Sequence, residues 1–163
     1  MLALGLVALW YGATGETDAF LLAYAVAAYA ASVATSTFGE TLVPHMRSAS
    51  WAGTILSATL AALATALGGY ALAGPGSLAF VPFVAVTVAA SSLSGWHSAH
   101  AGTSRTVALG HAAALAVFLA AAVLTRSWGL RGITVALTMG EAARLVTLLR
   151  GQRLPWRGPP PPR

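Results

Sequence analysis

Glu141 and Arg144 stand three residues apart inside the apolar stretch VALTMGEAARLVTLL. On a helix that spacing puts an acid and a base on one face. Such a pair either neutralises itself as an internal ion pair or lines a polar cavity, because ionisable groups within a membrane span are rare and face inward. Arg144 lies about a turn and a half from the expected helix end, within snorkelling reach of the interface, whereas Glu141 lies deeper. Asp18 offers two chemistries: a cap for the first turn of the helix that follows it, or an acid facing a cavity and coupling to a cation or a substrate head group. Arg105, beside a later span, completes the set of substrate- or ion-coupling residues: Asp18, Arg105, Glu141 and Arg144.

The histidines promise less. His97 and His100 have a metal-compatible spacing but no nearby third ligand, and a loop beside the membrane explains them. His111, inside a span, reads as a buried hydrogen-bonding group, and Glu40 and His45 read as interfacial. With no cysteine and no clustered donors, neither a metal nor a cofactor is expected. No nucleophile–base–acid set, phosphate loop or dinucleotide fingerprint occurs, so the chain does not read as an enzyme.

The elements that must position these residues are set by composition. The 163 residues are 57% hydrophobic and 8% charged, with a mean hydropathy of +0.74. A soluble domain carries about 25% charged residues. The net charge of +5 comes from nine arginines, no lysine and four acids. These arginines sit singly between apolar runs or at the C-terminal end, without a basic face interleaved with aromatics, which excludes a nucleic-acid partner. Between Asp18 and Glu40 no residue is charged, and about 20 apolar residues suffice to cross a hydrocarbon core of roughly 30 Å.

The expected fold is therefore an all-α integral membrane protein, a bundle of about six transmembrane helices over residues 1–150, with a proline-rich, unpacked tail over 151–163. The first segment, Met1 to Ala13, is too short for a full crossing and reads as a truncated helix. It has no basic leader, so it is not a secretory signal. The others run from Asp18 to Val43, where Thr17 or Asp18 caps the start and Pro44 stops the end, then from Trp51 to Ala73, Ser77 to Trp96, Thr106 to Thr125, and Trp128 to Leu149. Alanine, glycine, serine and threonine in every span allow close helix approach, with Gly95/Ala99 and Gly68-Gly69 as contact points. With six crossings and both termini in the cytoplasm, Arg47, Arg105, Arg150, Arg153, Arg157 and Arg163 fall inside. Arg126 and Arg131 fall outside with Glu16 and Asp18.

At YGATGETDAFLLAY the chain resembles the start of the second helix of MviN-like lipid II flippases, within the multidrug/oligosaccharidyl-lipid/polysaccharide exporter superfamily. The similar F/Y-G-A-x-x-x-T-D-A-F phrase falls on Tyr11, Gly12, Ala13, Thr17, Asp18, Ala19 and Phe20, and an A-F-V-P-like ending falls on Leu42, Val43 and Pro44. FVPFVAVTVAASSLSGWHSAHAGTSRTVALGH resembles the family's fourth helix through the entry to its fifth. WGLRGITVALTMGEAARLVTLL resembles its sixth, with a G-x-x-G phrase on Gly129 and Gly132. The chain departs from the family in having no arginine before Arg47 and STFGE in place of an acidic-glycine phrase. What the resemblance implies is the N-terminal six-helix lobe of such a flippase. That lobe would work by alternating access in the cytoplasmic membrane on a lipid-linked sugar, paired with a second six-helix lobe or with another copy of itself. Of the four coupling residues, Asp18 alone sits in the family's motif. A non-transporting membrane scaffold or partner subunit, and a small-molecule or drug exporter of the same superfamily, are the alternative functions.

Overall fold

The computed structural model describes residues 2–36, 51–100 and 104–152. Among them there are six α-helices and no strands: α1 (Leu2–Tyr11), α2 (Gly15–Ala34), α3 (Trp51–Ala73), α4 (Val81–His100), α5 (Ser104–Leu124) and α6 (Leu130–Gln152). Five helical segments are long and apolar enough to cross a membrane, the pattern of a multi-pass membrane protein. The ten residues of α1 rise only about 15 Å, half a crossing.

Local sequence explains most of the boundaries. Thr14, extended at φ −134° and ψ 162°, caps α2 by accepting a hydrogen bond from the Thr17 N–H at 3.2 Å. The cap expected at Thr17 or Asp18 is thus supplied one turn earlier, and Thr17 is buried inside the helix. The α-helical part of α2 ends at Ala34; Glu40, the expected end at Val43 and Pro44, His45 and Arg47 lie outside the described residues. The span Trp51 to Ala73 agrees with α3. Gly74, at φ 75°, turns the chain into a 3-10 turn over Pro75–Phe80, and Pro82 sits near the start of α4, where its missing N–H costs no helical bond.

At its other end α4 continues to His100, beyond the expected stop at Trp96. His97 is consequently not a loop residue. It is buried, and its Nε2 lies 3.0 Å from the Leu148 carbonyl of α6. Gly151 and Gln152 belong to α6 rather than to a tail, and residues 153–163 lie outside the described residues.

The helices run alternately up and down and pack through two clusters. In the larger, Phe20 and Tyr24 of α2 meet Phe80 and Phe83, with ring centroids 5.2 to 6.5 Å apart. The smaller joins Ala90 and Leu93 of α4 to Leu148 of α6. Close approach of α5 and α6 depends on glycine. A Cβ on Gly140 would stand 2.9 Å from the Ala114 carbonyl oxygen and 3.1 Å from Phe118 Cβ, and one on Gly132 would enter the Thr125 carbonyl. Gly69 meets Ser77 in the same way, whereas Gly68 faces open space; the Ala99 side chain lies outside the described part. Gly129, at φ 66°, makes the turn into α6, so the G-x-x-G phrase serves one glycine for conformation and one for contact.

Candidate functional site

The residues that could do chemistry fall at three levels of the bundle. One end holds the starts of α2 and α6 and the turn between α5 and α6. There Tyr11 donates to the Arg126 carbonyl at 3.0 Å, and the Arg126 guanidinium lies 5.1 Å from the centre of the Trp10 ring. These two contacts fasten α1 to the rest of the bundle. The opposite end holds Arg105 and Arg150, both exposed, where Gly151 packs on Thr106 and His97.

Between the ends lies the charge pair. Arg144 is 8% exposed and does not snorkel. Its guanidinium donates to Glu141 Oε2 at 3.2 Å, to Ser94 Oγ at 3.0 Å and, at a long 3.5 Å, to Ser91 Oγ. The i, i+3 pair on α6 is thereby tied to two hydroxyls on α4, while Arg144 Nε finds no partner. Glu141 also borders a small cavity of about 170 Å³ whose other walls, including Phe118 and Leu137, carry no charge. In apolar surroundings the extra hydrogen bonds to Ser94 and Ser91 help offset the desolvation of an ion pair. Its chemistry as it stands is to join α4 and α6.

Asp18 and Arg105 join neither each other nor this pair. Asp18 is exposed in the first turn of α2, and Arg105 is exposed at the start of α5. His111, expected to be buried, lies exposed on α5. No group of three or more metal-ligating side chains occurs among the described residues.

What sequence reasoning missed is a stripe on α2. Asp18, Leu22, Ala25, Tyr29, Ser32 and Ser36 are all exposed and recur at intervals of three and four, so they form one face. It lies opposite the buried face formed by Phe20, Ala23, Ala27, Ala31 and Ala34. Tyr29 is 74% exposed and stands about 16 Å beyond Asp18 along the helix. By contrast, the large exposed residues of α3 are aliphatic, with Ile55, Leu56, Leu60, Leu63, Leu67 and Leu72, except for Tyr70 near its end. The signal was available in the spacing, but Leu22 and Ala25 on the same face and apolar residues all round gave little periodic contrast.

The second missed feature is a cleft of about 600 Å³ at the end where α2 and α6 begin. Glu16, Arg131, Trp128 and Thr134 contribute its polar or amphipathic walls. Taken together, these features define a multi-pass helical membrane bundle with, among the described residues, one internal charge pair and an outward α2 face that carries Asp18, Tyr29, Ser32 and Ser36 beside Leu22 and Ala25. No protein family, curated protein or solved structure gives a significant match to the chain.

Proposed function

We propose that the chain is one lobe of an exporter that moves a lipid-linked sugar carrier, of the lipid II type, across the cytoplasmic membrane by alternating access. The observation that carries this function is the polar stripe of α2, turned away from the lobe's own core. Tyr29, in the second half of the described span, and the two serines beyond it put hydroxyls on an outward face where the large exposed side chains of α3 are mainly aliphatic. Facing a second lobe across a wet cleft, the same groups would meet the sugars and phosphates of a head group while the α3 face meets acyl chains. In this reading Asp18, exposed in the first turn of α2, stands at the mouth of that path. Arg105 and Arg150 mark the cytoplasmic end, with both termini on that side.

Two measurements test the proposal. The chain lacks cysteine, so single variants report position without background. Tyr29→Cys and Ser32→Cys are expected to react with a membrane-impermeant maleimide several-fold faster than Leu63→Cys. Equally slow labelling of all three would put the α2 face in lipid and remove the path. In vesicles carrying a fluorescent lipid-linked pyrophosphoryl sugar, exposure of the dye to an external reductant is expected to accelerate steeply with protein density, as it must when two lobes pair. A rate no faster than in protein-free vesicles at every density would overturn the transport function.

A further inference from the structure

We infer that the cleft between the starts of α2 and α6 is a binding site for a zwitterionic aminophospholipid, with Arg131 holding the phosphate and Glu16 the ammonium. The inference rests on the cleft's own lining and not on the transport function. Its volume of about 600 Å³ lies within the range of about 300–1,000 Å³ typical of small-molecule sites. Phe20, Ala23 and Phe80 form part of its apolar wall, and Trp128, 62% exposed, stands beside it.

Its two charges come from different helices and are not spent on each other. Neither Glu16 nor Arg131 has an ion pair among the described residues, where the one salt bridge is Arg144–Glu141. The other arginine at this end, Arg126, is committed to Trp10. Arg131 therefore has no ion-pair partner among the described residues, at an end that gathers two acids, Glu16 and Asp18, and two arginines, Arg126 and Arg131. An acid and a base lining one cleft are complementary to a ligand that carries both signs. The carboxylate of Glu16 repels a polyanionic pyrophosphate, which separates this occupant from the transported carrier. The apolar wall and the position at a helix-start level match a lipid seated at the interface, with its first methylenes on Ala19, Ala79 and Leu130 and its glycerol against the amphipathic indole.

The test is native mass spectrometry of the full chain in lipid-free detergent, titrated with phosphatidylethanolamine or phosphatidylglycerol of the same acyl chains. One phosphatidylethanolamine per chain is expected to bind about tenfold or more tightly than phosphatidylglycerol, and Arg131→Gln and Glu16→Gln are each expected to weaken it by a similar factor. Arg150→Gln, at the opposite end, is expected to bind as the unaltered chain does, and matching unfolding temperatures confirm that the variants fold. Glycerophosphoethanolamine without acyl chains is expected to leave the bound lipid in place. Equal binding of both lipids, full retention by the Glu16 and Arg131 variants, or displacement by the chainless head group would each overturn the assignment.

Discussion

Arg144→Met is expected to destabilise the bundle by about 3–5 kcal/mol, the usual consequence of removing one partner from a buried ion pair. The variant leaves Glu141 beside apolar walls without its counter-charge and takes the donor from Ser94 and Ser91. Were Arg144 to snorkel to an interface, the same change would cost only the 0–1 kcal/mol or so of a surface pair. The double variant Arg144→Met/Glu141→Leu removes both charges together and is expected to recover most of the loss, because a well-packed apolar pair often replaces a buried ionic one without penalty. Denaturant unfolding in detergent micelles, followed by tryptophan fluorescence, measures all three species. Additive losses in the double variant, with no coupling beyond about 0.5 kcal/mol, would show that the two side chains do not depend on each other.

That pair also marks the boundary of what the sequence conveys. Spacing alone put Glu141 and Arg144 on one face, since i and i+3 are neighbours on any helix. The direction in which Arg144 turns was not legible, because it is decided by Ser91 and Ser94 on α4, some fifty residues away. His97 follows the same rule. Polar residues after Trp96 read as the exit from a span, yet the helix continues, and the His97 ring Nε2–H donates a hydrogen bond to the Leu148 carbonyl of α6. Local signals did better where local physics decides. Gly74-Pro75-Gly76 ends α3, and an uninterrupted apolar run fills it. The cap of α2 lies one turn earlier than expected for a comparable reason: Thr14 and Thr17 are both good caps, and Thr17 is buried inside the helix while Thr14 takes the capping role. The Glu16–Arg131 cleft was out of reach altogether, as nothing in either segment announces the meeting of α2 with the start of α6.

On the proposed exporter function, Asp18→Ala is expected to abolish transport while leaving insertion and folding close to unchanged. Had Asp18 been the helix cap, its loss would cost about 1 kcal/mol, and any fall in activity would be confounded with instability. Thr14 holds that role, with its hydroxyl bonded to the Thr17 N–H and 2.9 Å from the Thr17 hydroxyl. The Asp18 carboxylate is left exposed at the head of the α2 stripe, and its remaining structural contribution is that of an acid in the first turn of a helix, worth about 0.3–1 kcal/mol. Thr14→Ala is the matching control: it removes the cap and is expected to cost stability of about 1 kcal/mol while transport per folded molecule persists. The two variants thus separate along different axes, one in the vesicle flipping rate and the other in the unfolding midpoint. An unchanged flipping rate in Asp18→Ala would remove this carboxylate from the mechanism. If Thr14→Ala lost transport as completely as Asp18→Ala, the geometry of the first turn rather than its charge would be what the path requires.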